Sequence, residues 1–313
     1  MLSSINKIFV CFLITKYFND RNMANNVAIV TGANKGIGLA TVKSLAKKFP
    51  GTVYLTSRNE ERGIAAAKSL KNDFQNVKFH SLDISNSESI KKFAQYIKQN
   101  YNGIDILVNN AAIAFEFASP KPFIIQATET INTNYFGVKN TCDYLFPMLN
   151  PGARVINVSS SAGHLSRIPG KELQKRFSDP NLSYEDLDKL MEGYIKSVQD
   201  DTFEEKGWPL RSYLTKAGLS STYSVSKVGV SALTRLQQHI MDTSNRDLDI
   251  VINCVHPGFV NTDMSSHRGH FTPEEGAKPI IYAAKLPEKS MIRGKFIWYD
   301  CTIVDWEAKY CSK

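Results

Sequence analysis

The feature that most constrains the fold is a regular alternation of short apolar runs with amphipathic stretches. The runs are rich in Val, Ile and Leu without polar alternation, as in strands that are buried on both faces of a parallel sheet. These predicted strands cover residues 27–31, 53–57, 77–82, 104–110, 154–160 and 249–257. The alternation predicts an α/β fold in one domain, a doubly wound parallel sheet of the Rossmann type with right-handed crossovers.

One intervening helix shows how the amphipathic stretches are read. Ser87 is a residue type that caps helices, and Gly103 is placed to end this one. Four apolar positions follow Ser87 at helical spacing, namely Ile90, Phe93, Ala94 and Ile97. They predict a helix that packs one stripe against the sheet.

Two parts of the chain depart from the alternation. Residues 1–22 carry an apolar run from Ile8 to Ile14, which is too short to span a bilayer and has no signal cleavage site after it. We predict a dispensable or disordered extension at 1–22 and the folded domain at 23–313. Residues 163–220 form a long insertion with helical patterns, which predicts a structured cover next to a functional site.

Charge and cysteine content exclude several classes of function. The net charge is +8, but Lys and Arg are dispersed and form no block of five or more. This pattern predicts a solvated basic surface, with no nucleic-acid or membrane partner. The five cysteines are odd in number and include no C-x-x-C motif, which argues against a disulfide framework and a zinc site. We therefore expect no metal, a reducing compartment and a cytoplasmic protein.

A glycine-rich turn follows the first predicted strand. Gly32, Gly36 and Gly38 permit a tight turn, a close approach of backbone to phosphate, and tight packing of helix on strand. The amides at the start of the next helix would face a pyrophosphate. The spacing is G-x-x-x-G-x-G. In this strand–turn–helix context the motif predicts a dinucleotide site.

At this point the chain resembles the short-chain dehydrogenase/reductase family, whose signature is T-G-x-x-x-G-x-G, and the resemblance extends from Val27 to about Trp306. Within the family it most resembles the monomeric NADPH carbonyl reductases. The stretches that carry this resemblance are TGANKGIGLA, LVNNAAIAF, TNYFG, INVSS, KGWP and PEEGA. In that group a long segment before the catalytic tyrosine covers a face that other members use to form tetramers, which implies a monomer.

The end of the second strand predicts the choice of cofactor. Arg58 lies where an NAD enzyme usually has an acid, and Lys35 lies in the turn. A guanidinium binds a 2′-phosphate bidentately, whereas a carboxylate repels it, so NADPH is expected. The resemblance implies further cofactor-binding residues: Gly32, Asn34, Gly36, Ile37, Gly38, Asp83, Ile84, Asn110, Tyr223, Lys227, Pro257, Gly258, Val260 and Thr262. Ala112 departs from the family, which has glycine there.

Two tyrosine–lysine pairs compete for the role of proton donor. Tyr213 with Lys216, and Tyr223 with Lys227, each lie on one face of a helix, so spacing does not separate them. Tyr223 opens an apolar-periodic helix that leads into the strand at 249–257, and it matches the family's Y-x-x-x-K. A free tyrosine titrates near 10. A lysine one turn away is expected to lower that pKa.

The resemblance completes the predicted site. Asn134 would complete a proton relay through a water, with a kinked helix exposing a carbonyl to it, and Ser160 would hold the substrate oxygen. The substrate-binding residues would be Phe115, Phe117, Gln126, Ser160 and Phe259. The predicted reaction is NADPH-dependent reduction of aldehydes, ketones or quinones to alcohols. A catalytically silent NADP(H) sensor and an oxidative steroid or retinoid dehydrogenase are the alternatives.

Overall fold

The computed structural model describes residues 26–212 and 218–308, so the predicted extension at 1–22 and the Tyr213–Lys216 pair lie outside the described residues. The strands are β1 (Val27–Val30), β2 (Thr52–Ser57), β3 (Val77–Ser81), β4 (Ile104–Asn109), β5 (Leu149–Val158), β6 (Val251–Val255), β7 (Phe296–Ile297) and β8 (Ile303–Val304). They form one sheet in the order β3-β2-β1-β4-β5-β6-β7-β8. β1 to β7 are parallel, and β8 is antiparallel to β7.

Helices cover both faces of this sheet. They are α1 (Gly36–Ala46), α2 (Glu60–Leu70), α3 (Ser87–Asn100), α4 (Phe123–Ile131), α5 (Gly137–Leu145), α6 (Lys171–Phe177), α7 (Tyr184–Gln199), α8 (Ser221–Ser244) and α9 (Pro273–Ala284). Within the described ranges, no helix combines the length and the apolar character that crossing a bilayer would need.

The core explains why the strands lack polar alternation. Val27 and Ile29 of β1 pack in the apolar cluster that contains α3, α4, α5, α7 and α8. Ala28 and Val30 pack in a second cluster, together with α1, α2 and α9. Successive strand residues point to opposite faces. Both faces of β1 are therefore buried, and the predicted doubly wound α/β fold is confirmed.

Helix α3 agrees with the sequence prediction except at its first residue. The cap is Asn86, whose side-chain oxygen accepts a hydrogen bond from the Ser89 amide at 3.1 Å. Ser87 is the first helical residue instead of the cap. All four predicted stripe residues are buried. The error is one position, because Asn and Ser are both good capping residues and stand next to each other.

The predicted insertion contains helices α6 and α7. α7 packs against α4 and α8. Leu187, Met191 and Tyr194 are buried in this contact. The Tyr135 hydroxyl, which lies between α4 and α5, donates a hydrogen bond to Asp188 of α7 at 2.8 Å. The chain itself therefore covers the outer face of α4 and the outer face of α8. Helix α8 carries the candidate tyrosine, Tyr223, in its first turn.

A cluster of ion pairs lies next to the start of β6, around Asp249. Asp249 accepts from Arg154 at 3.3 Å and from Arg293 at 3.1 Å. Its backbone is left-handed, with φ of 49°, a conformation that Asp adopts more readily than Ala. We expect Asp249→Ala to lower the free energy of unfolding by about 3 kcal/mol, because it removes the carboxylate partner of the buried Arg154 and one of the two carboxylate partners of Arg293. Urea unfolding measures this loss, and Asp247→Ala, an exposed neighbour, should change it little.

Candidate active site

The glycine-rich turn has a left-handed backbone, which favours glycine, at two positions. Gly32 and Gly36 have φ of 62° and 57°. A Cβ on Gly38 would lie 2.7 Å from the Gly32 carbonyl oxygen and 2.6 Å from Asn110 Nδ2. The start of α1 is therefore packed against the glycine-rich turn, and the first helical turn of α1 has no acidic side chain. The amides at this helix start are available to an anion.

Asn110 fastens the turn to the end of β4. Its Nδ2 donates to the carbonyl oxygens of Thr31 and Gly32 at 2.9 and 3.0 Å. The backbone amide of Asn110 donates to Thr31 Oγ1 at 3.0 Å. The side chain is therefore occupied in shaping the cradle. Asn109 Nδ2 donates to Asn157 Oδ1 at 2.8 Å and thereby ties β4 to β5.

The two cations predicted at the 2′-phosphate lie in different surroundings. Arg58 directly follows β2 and is exposed, and it forms no ion pair with any residue in the described ranges. Lys35 is also exposed, but its ammonium pairs with the carboxylate of Asp263. This pairing lowers the pKa of Asp263. Sequence reasoning missed Asp263 because it lies 228 residues from Lys35, and its local sequence gives no sign of the contact.

The Asp263 contact belongs to a segment that faces the turn. A Cβ on Gly36 would lie 3.3 Å from Thr262 Cγ2. Val260 forms an isolated bridge with Phe271, and Pro257 and Gly258 precede it directly after β6. The structure therefore places the predicted residues after β6 opposite the predicted residues of the turn.

Asp83 and Ile84 lie at the end of β3, with different exposures. Asp83 Oδ1 accepts from the amide and the hydroxyl of Ser85, at 2.9 and 2.7 Å. Ile84 is 5% exposed and packs in the apolar core, where its carbonyl approaches Gly137. The side chain of Ile84 is therefore a core side chain, and any contact with a cofactor would come from its backbone.

The four predicted catalytic residues come together at the carboxyl end of β5. Tyr223 and Lys227 occupy the first two turns of α8, and Ser160 follows β5. Ser159 points to α8, because its Oγ contacts Ser231 Oγ at 2.8 Å. All three serines line the cavity, but Ser160 Oγ accepts from the Ala162 amide at 3.2 Å and forms a hydrogen bond with Tyr223. This difference supports the choice of the second serine.

The pKa values of the tyrosine and lysine depart from the prediction. Burial raises the pKa of Tyr223 to about 12, and a hydrogen bond with Ser160 opposes this rise. Burial lowers the pKa of Lys227 to about 8. The predicted lowering of the tyrosine pKa by the lysine is not observed. The reason is geometric, since Lys227 Nζ donates to the Val158 carbonyl at 2.7 Å and lies 5.6 Å from the tyrosine ring centre.

Asn134 lies in a π-helical segment, Asn132–Phe136, between α4 and α5. Its Oδ1 accepts from the Ile113 amide at 2.8 Å, and its Nδ2 donates to the Ile113 carbonyl and to Ser226 Oγ at 2.9 and 3.0 Å. These bonds link the segment to α8 next to Lys227. A π segment interrupts the regular hydrogen-bond ladder of a helix. The exposed carbonyl and the relay through a water remain predictions.

A cavity of about 660 Å³ opens beside Ser160 and Tyr223. Predicted residues that line it are Ile37, Ser160, Tyr223, Pro257, Gly258, Phe259, Val260 and Thr262. Three predicted substrate-binding residues do not line it. Gln126 is buried and donates to the Lys121 carbonyl, Phe117 is 45% exposed, and the Phe115 ring packs under the Lys121 ammonium.

Sequence reasoning missed the aromatic wall of this cavity. The wall consists of His256, Phe271, Trp298 and Tyr299. The rings of His256 and Trp298 are 4.4 Å apart, and those of Phe271 and Tyr299 are 5.1 Å apart. His256 directly precedes the Pro257–Gly258 turn, so its position next to a predicted motif was the available signal. Trp298 and Tyr299 follow β7, which has only two residues.

Comparison with known proteins agrees with this geometry. The family model for short chain dehydrogenases matches residues 26–171. Carbonyl reductase 3 (NADPH) of Rattus norvegicus is 41% identical over 265 residues, which cover 84% of this chain and 92% of the relative. The chain belongs to the short-chain dehydrogenase family. The human carbonyl reductase 1 (NADPH) is 39% identical over 84% of the chain and 91% of its own length.

A solved structure shares the fold. Salutaridine reductase from Papaver somniferum superposes with a TM-score of 0.77 at 30% identity, over 88% of this chain and all of that one. The family membership predicted from the glycine-rich turn and the Tyr223–Lys227 pair is therefore confirmed.

Proposed function

We propose that the protein is an NADPH-dependent carbonyl reductase that converts aldehydes, ketones or quinones to alcohols. The observation that carries this proposal is the convergence of Ser160 and Tyr223 on one cavity, with Lys227 one turn further along the helix that carries Tyr223. The names of the most similar relatives support it, since they are NADPH carbonyl reductases at about 40% identity. A panel of purified protein, NADPH and carbonyl compounds, including menadione and an aromatic aldehyde, tests it through loss of NADPH absorbance.

The residues of the turn fit a dinucleotide. A Cβ at Gly38 would fill the cradle, and the amides at the start of α1 face it without a competing acid in the first turn. The pyrophosphate would lie there, and the nicotinamide would lie beside Pro257, Val260 and Thr262. NADPH supplies a hydride to the carbonyl carbon. The remaining steps are performed by side chains of this chain.

Tyr223 supplies the proton to the carbonyl oxygen. With a pKa of about 12, its phenol is protonated throughout the neutral range, which suits reduction. Ser160 donates its hydroxyl hydrogen to the same oxygen and stabilises the charge that develops there. Lys227, at the next turn of α8, donates to the Val158 carbonyl and so anchors the tyrosine-bearing helix to the end of β5. The Asn134 side chain orients its own π segment toward α8.

The cavity indicates the class of substrate. The aromatic wall, together with Phe259, accommodates a ring or an extended apolar group. A bulky aromatic carbonyl or quinone would bury more surface there than a small acid would. We expect the panel to rank aromatic carbonyls above short aliphatic ones by kcat/KM.

Arg58 is expected to select NADPH over NADH. Its guanidinium is exposed at the end of β2 and has no acidic partner among the described residues. We predict that Arg58→Ser lowers kcat/KM for NADPH by about 10- to 100-fold, the worth of a charge-assisted hydrogen bond, and leaves NADH almost unchanged. Steady-state kinetics with both cofactors measures this. Arg246→Ser is the control with the same change of charge at the other end of the sheet, and equal loss with both cofactors would contradict the role.

We further propose that the protein is a cytoplasmic monomer. The support for a monomer is the packing of α7 on α4 and α8, which occupies that face within one chain. The support for the compartment is the set of free cysteines Cys142, Cys254 and Cys301. Light scattering of the purified protein tests the first statement, and fluorescence of a tagged full chain in cells tests the second.

A further inference from the structure

The C-terminal segment 304–308 lies against the turn that follows Ser160. The Trp306 indole Nε1–H donates to the Gly163 carbonyl at 2.7 Å. The Leu165 amide donates to the Trp306 carbonyl at 3.3 Å, and His164 Nε2 lies 3.0 Å from the Asp305 carbonyl. Trp306 is only 3% exposed. A buried indole N–H that meets a buried carbonyl is a specific contact that an apolar ring could not replace.

The Gly163 peptide is held on its other sides by the candidate catalytic residues themselves. Its amide donates to the Ser160 carbonyl at 2.8 Å. A Cβ on Gly163 would lie 2.2 Å from Ser159 Oγ and 2.7 Å from the Lys227 carbonyl oxygen. The short helical turn Ser161–Gly163 is therefore confined between α8 on one side and the indole of Trp306 on the other.

The same turn fixes the serine hydroxyl. The Ala162 amide donates to Ser160 Oγ at 3.2 Å, which leaves the hydroxyl hydrogen free for a second partner. Any displacement of the turn moves this amide and the oxygen bound to it. Trp306 itself does not line the cavity, although Val304, Asp305 and Ala308 of the same segment do, and its indole N–H is bonded to the turn.

We propose that Trp306 is a positioning residue for carbonyl reduction: its indole N–H holds the Ser161–Gly163 turn, and thereby Ser160 Oγ, in register with Tyr223. This inference rests on the proposed function. A hydroxyl that stabilises charge on the substrate oxygen must be held in place before the reaction, because a small displacement weakens the hydrogen bond in the transition state. The C-terminal segment thus becomes part of the active-site framework, although it is distant in sequence.

The test removes the indole N–H of Trp306 and keeps an aromatic ring at this position. We expect Trp306→Phe to lower kcat about tenfold, the worth of one hydrogen bond, with the KM for NADPH unchanged, because the turn does not contact the glycine-rich turn. A chain with β-(3-benzothienyl)alanine at position 306 keeps the bicyclic shape without the N–H, and we expect the same loss of kcat. This second variant answers the question if the smaller phenylalanine prevents folding. Wild-type kcat in the benzothienyl variant would overturn the proposal.

A double-mutant cycle tests that the effect passes through the serine. In a Ser160→Ala background, Trp306→Phe should cause no further loss of kcat, because the group that it positions is already absent. Full additivity of the two losses would overturn the proposal.

Two controls separate this inference from its alternatives. Glu307→Gln breaks the exposed Arg235–Glu307 ion pair of the same segment but keeps the indole bond, so it should retain wild-type kcat. An equal loss in Glu307→Gln would show a general dependence on the tail and overturn the role of the indole. If the wild-type enzyme reduces no carbonyl in the panel, the proposed function fails. If it is active and Trp306→Phe is equally active, only this inference fails.

Discussion

Tyr223→Phe should lower kcat for carbonyl reduction by roughly 10²- to 10⁴-fold, the usual contribution of a positioned general acid. The phenol is the candidate donor that the structure places in the cavity beside Ser160. Phenylalanine keeps the ring but has no proton to give, so the alkoxide would have to take one from water. Steady-state oxidation of NADPH with menadione measures the loss.

Cofactor binding separates this effect from unfolding. Tyr223→Phe should bind NADPH within a fewfold of wild type, measured by quenching of protein fluorescence, since the turn and Arg58 are intact. Tyr144→Phe is the matched control: Tyr144 lies on α5 and is 40% exposed, so loss of its hydroxyl should leave kcat unchanged. Normal turnover by Tyr223→Phe would show that another group donates the proton.

Lys227→Met should abolish most activity and yet stabilise the protein without cofactor. Burial lowers the pKa of Lys227 from 10.5 to about 8, so below pH 8 the folded state carries a buried charge that costs about 3 kcal/mol. Methionine removes this cost. It also leaves the Val158 carbonyl without its donor, which costs about 1–2 kcal/mol, so a net gain of about 1 kcal/mol is expected at pH 7.

The pH dependence of this gain has a defined sign. Between pH 8 and 10.5 the unfolded chain binds more protons at this lysine than the folded chain does, so its contribution to wild-type stability rises with pH. The advantage of Lys227→Met should therefore be largest below pH 8 and shrink toward pH 10.5. Thermal unfolding across this range measures it, with the exposed Lys68→Met as control. A lower unfolding temperature for Lys227→Met at pH 7 would contradict the burial cost.

The fold could be predicted well from the sequence where a strand is composed mainly of apolar residues and must therefore be buried. β1, β2, β4 and β6 are buried along almost all of their length between helices on both faces of the sheet, so local sequence and tertiary structure agree there. The edge strand β3 is only partly buried. β7 and β8 could not be predicted, because two residues carry no periodicity. Their pairing depends on the position of β6 and on the turn between them.

At the candidate site, the sequence motifs predicted where the functional residues lie in the fold. They did not predict how deeply these side chains are buried or what surrounds them. The Y-x-x-x-K spacing placed Tyr223 and Lys227 on one face of α8, yet the pKa of each is governed by burial among distant segments. The substrate residues show the same limit. Phe117 follows Glu116, which bridges to Leu219 before α8, and this pairing leaves the Phe117 ring in solvent. The aromatic wall instead comes from segments after β6 and β7.

The packing of α7 on α4 and α8 has a consequence for folding and for dilution. In an assembly of subunits, a helix that covers this face is lost when the protein is diluted below its dissociation constant. Here the cover is tethered to the catalytic helix through the chain between α7 and α8, so its local concentration is fixed by chain geometry. The packing of α7 on α4 and α8 is therefore an intramolecular step with first-order kinetics. The activity of each molecule should be independent of protein concentration.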